Sequence, residues 1–124
     1  TQHVSLVGYV SCIREWLDKS RFLVMSSHAE SYGAVLVEAL AAGRQIVTTD
    51  CSPAVEDLLK TPKAGRSVPV GDNIALARAM SELLNAPPPD PEDLAQLTKP
   101  YCLSEGGTAY LELLQSISLE KESF

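Results

Sequence analysis

The sequence predicts an α/β fold, a parallel sheet flanked by helices, and three observations carry that expectation. Short apolar runs rich in branched residues recur at Val4–Gly8, Phe22–Met25, Gln45–Thr48 and Ser67–Val70. Between them lie segments whose apolar residues fall at helical spacing, and strand alternating with helix four times over is the pattern of a parallel sheet with right-handed crossovers. The chain has 124 residues, of which 45% are hydrophobic and 21% charged. That is one globular domain, able to bury roughly two-thirds of its unfolded surface.

Taken in order, Val4–Val10 alternates and supplies a first strand ending near Gly8. Ile13, Trp16 and Leu17 stand at i, i+3 and i+4, which predicts a short helix over Ser11–Lys19 with Trp16 as a core anchor. Phe22–Met25 is wholly apolar, the form of a central strand covered on both faces. A polar turn follows, and a helix from about Gly33 runs through Val35, Leu36, Ala39, Leu40 and Ala42 until Gly43 stops it. Gln45–Thr48 is the next strand. Ser52 can cap a helix that begins at Pro53, where proline loses nothing by lacking an N–H, and that ends near Lys60. Thr61–Gly65 is a turn, and Pro69 assigns the strand Ser67–Val70 to a sheet edge. Asp72 or Asn73 caps a helix carrying Ile74, Ala77, Met80 and Leu84, which the proline-rich run Ala86–Pro91 ends. Helices at about Pro91–Leu97 and Glu105–Lys121 complete the chain, the second with Tyr110, Leu113, Leu114 and Ile117 on one face. Gly106-Gly107 follows no strand, so it reads as a helix-start turn and not as a phosphate loop.

Composition narrows the function classes. Sixteen Asp and Glu against ten Lys and Arg give a net charge of -6 and a pI near 4.8, which argues against nucleic acid or an anionic membrane as the main partner. No apolar run approaches the ~20 residues of a membrane span, and Thr-Gln-His-Val does not open a signal peptide, so a cytoplasmic location is expected. Cys12, Cys51 and Cys102 have no C-x-x-C spacing and are read as small buried or half-buried thiols. His3 and His28 are far apart in sequence, and no metal site is expected.

The chemistry concentrates in Ser27–Ala42. Backbone N–H groups at Gly33, Ala34 and Val35 stand unpaired at a helix start, at the positive end of its dipole, and can hold a diphosphate. Gly33 lets a phosphate approach the backbone without a Cβ in the way. Glu38 lies one turn further along, near the face of Ala34, where a carboxylate can accept bonds from two adjacent ribose hydroxyls. Glu30 belongs to the turn before the helix. A glutamate near a helix start is also a favourable charge for the dipole, and one within a helix is often merely solvated. The apolar neighbours Val35, Val37, Ala39, Ala41 and Ala42 fit that plainer account of Glu38 less well. His28 is read as a turn residue without a chemical role.

These residues resemble the C-terminal nucleotide-sugar-binding domain of retaining GT-B glycosyltransferases of group 1, which carry an E-x7-E signature. Glu30, Gly33, Glu38 and the closing Gly43 stand in the family's register. Val7-Gly8, Thr49-Asp50, Glu56 and Val68–Asp72 are similar to its later landmarks, so the likeness runs to about Leu84 and rests beyond that on helix patterning alone. The resemblance implies a Rossmann-like sheet, here an incomplete GT-B C-terminal domain, and a nucleotide diphosphate sugar as donor substrate with no metal or other cofactor. It places Glu38 at the ribose and Glu30 at the transferred sugar, as the residue that orients hydroxyls or stabilises positive charge at the anomeric carbon. Tyr9 and Val10 would flank the nucleobase, with core packing as the alternative for both.

Gln45 stands where the family usually has proline, and Ser26 where it often does. The family's domain also begins about two strands earlier, with an Arg and a Lys for the diphosphate, and an acceptor-binding domain precedes it. The resemblance therefore implies that this chain alone is inactive. In a doubly wound order 3-2-1-4-5-6 the first two strands separate the third from the fourth. Val4–Gly8 would then pair directly with Phe22–Met25, exchange with another copy through the truncated sheet, or lie poorly ordered. Two other readings stay open: a domain similar to nucleotide-sugar 2-epimerases, and a non-catalytic α/β interaction module that keeps the motif for helix packing.

Overall fold

A computed structural model of the chain describes residues 3–121. Their order is α1 (Arg14–Leu17), β1 (Phe22–Met25), α2 (Ala34–Ala41), β2 (Gln45–Thr49), α3 (Pro53–Leu58), β3 (Gly65–Val68), α4 (Asn73–Asn85), α5 (Pro91–Gln96), a 3₁₀ turn at Lys99–Tyr101, and α6 (Leu103–Lys121). Among the described residues the strands form one parallel, Rossmann-like sheet in the order β1-β2-β3, with Phe22 opposite Gln45 and Ile46 opposite Gly65.

Helices cover both faces. On one, α1, α2, α3 and α5 bring Leu17, Leu36, Leu40, Val55, Leu58 and Leu94 onto Met25 and Ile46. On the other, Ala79 and Leu83 of α4 pack on Val47 and Val68. At 0% exposure Leu36 and Leu40 fix α2 to the sheet. That helix closes in a Schellman motif: Gly43 takes φ 69°, its N–H donates to the Leu40 carbonyl at 2.9 Å, and the Arg44 N–H donates to that of Ala39 at 2.8 Å. A Cβ at Gly43 would stand 2.5 Å from the Cβ of Pro91, so α5 can seat there only because the residue is glycine.

Several expectations are corrected by where elements find partners. Val4–Gly8 forms no strand among the described residues: Leu6 is 96% and Tyr9 95% exposed. A strand needs a neighbouring edge for its hydrogen bonds and a covered face for its side chains, and this segment finds neither. Phe22–Met25 is a strand but lies at a sheet edge, with Val24 exposed; the central, wholly buried strand is β2. The first helix shrinks to the single turn of α1, and Leu17, not the exposed Trp16, is its anchor.

The third strand starts at Gly65, two residues before Ser67, and stops before Pro69; its edge position is as expected. α3 ends at Leu58, short of Lys60. In α4 the sheet-facing stripe is Ala75, Leu76, Ala79, Met80 and Leu83, while Ile74 and Leu84 face solvent. α6 begins at Leu103, so Gly106-Gly107 lies within the helix, and the face with Tyr110, Leu113, Leu114 and Ile117 is exposed. Cys12 and Cys102 are exposed free thiols where buried or half-buried ones were expected, and Cys51 is buried as expected.

Candidate functional site

The turn from β1 to α2 is built at the C-terminal ends of the strands, where open α/β sheets bind ligands. It is tied to the end of β2 and to the residues that follow it by three hydrogen bonds. The Thr49 hydroxyl donates to the Ser27 carbonyl at 2.5 Å. The Glu30 N–H donates to the Cys51 carbonyl at 2.9 Å. The Ser52 hydroxyl, predicted as a helix cap, donates instead to the Tyr32 carbonyl at 3.2 Å. Within the turn, the Ser27 hydroxyl donates to Oε1 of Glu30 at 2.7 Å.

Gly33 then opens α2 at φ 79° and ψ 52°, a left-handed conformation that costs other residues energy. Its carbonyl accepts the Leu36 N–H at 2.9 Å. A helix pairs each N–H with the carbonyl four residues back, so the N–H groups of Ala34 and Val35 have no intrahelical acceptor and stand at the positive end of the axis. A Cβ at Gly33 would come to 3.3 Å from Cε of Met25, so the strand end as well as the backbone angle is matched to glycine.

Glu38 is exposed on α2. It shares a cleft of about 340 Å³ with Ala34, Val37, Tyr32 and Tyr101. The two tyrosine rings meet edge to face, their centroids 6.2 Å apart and their planes at 69°. Tyr32 is exposed, and slight desolvation beside this neighbourhood raises its phenol above the usual pKa, with the Tyr101 phenol and the Asp57 carboxylate adding to the effect. A second cavity, of about 160 Å³, lies beyond the strand ends and is lined by Ser26, His28, Thr49, Asp72, Asn73 and Leu76, together with Gly71. Glu30 is exposed on the turn, in sequence between His28 of one cavity and Tyr32 of the other.

The structure thus brings Glu30, Gly33, Ala34, Val35 and Glu38 together on one turn and one helix. Tyr9 and Val10 stand apart on the irregular segment before α1 and line neither of these cavities. Sequence reasoning gave no role to Ser27, Thr49 or Tyr101. Ser27 and Thr49 stand near strand ends in the sequence, but only the fold shows that the Thr49 hydroxyl meets the Ser27 carbonyl. Nothing in the sequence pattern brings Tyr101 to α2. Among the described residues no three His, Cys, Asp or Glu side chains cluster as metal ligands would, and no helix is long and apolar enough to cross a membrane.

Comparison with known proteins places the chain in a family. A stretch of 55 residues, 44% of the chain, is 47% identical to a phosphatidyl-myo-inositol mannosyltransferase of Mycobacterium leprae (strain TN), of which it spans 14%. Residues 1–86 of the 124 match the family described as glycosyl transferases group 1. With that match over more than half of its length, the chain belongs to the group 1 glycosyl transferases.

Proposed function

We propose that this chain is the donor-binding part of a retaining hexosyltransferase that moves a sugar from a nucleotide diphosphate onto an acceptor held by a further domain. The observation that supports it most is the start of α2. A glycine-opened helix leaves first-turn N–H groups without intrahelical acceptors, one carboxylate follows a turn later at Glu38, and a second precedes it at Glu30.

In this reading the N–H groups of Gly33, Ala34 and Val35 hold the diphosphate. Glu38 accepts bonds from the ribose hydroxyls, and Tyr9 and Val10 flank the base in the donor-bound protein. Glu30 faces the transferred sugar. As the bond from the anomeric carbon to the diphosphate oxygen lengthens, positive charge grows on the sugar, and a fixed carboxylate stabilises it. The electron pair of the breaking bond leaves with the diphosphate, whose new charge the helix start accommodates. No metal is called upon in this scheme. The mannosyltransferase relative favours a hexose as the group transferred.

The test is made in the full-length protein that carries this chain. Glu38→Ala should weaken nucleoside diphosphate binding about tenfold or more, the scale of lost hydrogen bonds to a charged acceptor. Glu30→Gln should retain that binding and lower sugar transfer about a hundredfold, the scale of a lost electrostatic stabiliser. Calorimetric titration and steady-state transfer measure the two. Undiminished binding and transfer in both variants would remove the roles assigned here.

A further inference from the structure

We propose that Ser27 is a positioning residue for Glu30: its hydroxyl sets the direction of the Glu30 carboxylate, and Thr49 holds Ser27 in place to do so. This rests on Glu30 facing the donor sugar, and it adds what makes that carboxylate effective. An exposed glutamate has several rotatable bonds and loses freedom only at a cost in entropy. A carboxylate that must meet sugar hydroxyls or a developing charge is useful only in one direction, and a displacement of about 1 Å can cost about a hundredfold in rate.

The geometry supplies the restraint. Ser27 Oγ donates to Oε1 of Glu30 at 2.7 Å, the usual length of a well-formed O–H···O bond. One bond leaves most of the carboxylate's accepting capacity for a ligand. The hydroxyl is itself presented from a fixed backbone. The Ser27 carbonyl accepts from Thr49 Oγ1, and Thr49 is 4% exposed on the central strand β2. The far end of the turn is held where the Glu30 N–H meets the Cys51 carbonyl. Thr49, Ser27 and Glu30 therefore form a chain of contacts from the most buried strand to an exposed carboxylate.

A plain turn-stabilising bond would give the same picture, so the test must read more than stability. In the full-length protein, transfer from a panel of UDP- and GDP-hexoses, UDP and GDP binding, and thermal unfolding are measured for Ser27→Ala, Ser27→Thr, Glu30→Gln and the Ser27→Ala/Glu30→Gln double variant. Ser27→Ala should lower kcat between about tenfold and a hundredfold and leave nucleotide affinity unchanged. Ser27→Thr, which keeps a hydroxyl, should restore kcat. The double variant should be no slower than Glu30→Gln alone, because the serine acts through that carboxylate. A full kcat in Ser27→Ala beside an impaired Glu30→Gln would overturn the positioning role and leave Glu30 in place. Full activity in Glu30→Gln would overturn both. Losses that multiply in the double variant would make the bond merely structural. If Ser27→Ala does not fold, Ser27→Cys replaces it, since a thiol is a weak donor of nearly the same shape; an unchanged kcat there would overturn the proposal.

Discussion

α2 and α4 both start beyond the C-terminal end of a strand, yet their first turns are opposites. α4 opens with Asp72, whose carboxylate accepts the Ala75 N–H at 2.8 Å. Its start carries its own negative charge and satisfies one of its own donors. α2 opens with Gly33, which has no side chain to offer, and the next acidic residue is Glu38, a turn into the helix. Such a start is poorer for the isolated helix and better for an external anion. The difference teaches where stability and binding are separated in this fold. α4 holds its N-terminus with a local cap, while α2 is held by its core face and leaves its N-terminus available.

The contrast is broken most severely from the core side. Leu36 is 0% exposed, and Leu36→Ala should cost about 2–5 kcal/mol, from lost burial and the cavity left behind. Leu113→Ala on the exposed face of α6 (55% exposed) should change stability by no more than about 0.5 kcal/mol. Urea unfolding of the two variants measures both. Equal losses would mean that α2 owes its place to something other than packing.

That pair also marks what was legible in the sequence. The β1–α2–β2 unit could be read closely because its signals are local: an apolar run, a glycine at each end of the helix, and apolar residues at a period that matches one face. Glu30, Gly33 and Glu38 fall within it and were placed on their turn and helix accordingly. Elsewhere periodicity identified helices but not their partners. Trp16, Ile74 and Leu84 stand at sound helical spacing and face solvent, because a neighbouring residue, Leu17, Ala75 or Leu83, points at the sheet. Val4–Gly8 has the composition of a strand, yet it does not pair with the open edge of β1, because composition does not show whether the rest of the fold covers a segment's side chains. The bond from Thr49 to the Ser27 carbonyl depends on two strand ends meeting side by side, which no local pattern encodes.

A smaller change sharpens the α2 side. Gly33→Ala places a Cβ on a residue at φ 79° and against the Met25 methyl. The backbone angle alone should cost about 1–2 kcal/mol, readable as a lower urea midpoint. If the glycine start also serves an anion, UDP or GDP affinity in the full-length protein should fall as well, while a folded-state cost alone would leave it unchanged.

The smallest effect is expected from the α4 side, at Asp72. Asp72→Ala removes the acceptor of the Ala75 N–H and a negative charge from the helix start, and should cost about 1 kcal/mol. α4 has thirteen residues and packs through Ala79 and Leu83, so it should fray at its first turn and stay seated. Hydrogen exchange would then quicken at Ala75 and Leu76, near the start, and not at Leu83. The substitution also creates at α4 what Gly33 leaves at α2, a helix start without a carboxylate cap. If that feature alone sufficed for a diphosphate, Asp72→Ala would gain UDP or GDP binding. On the roles proposed above no gain is expected, because α4 has no carboxylate where α2 has Glu38: the corresponding position, five residues after Asp72, is Ala77.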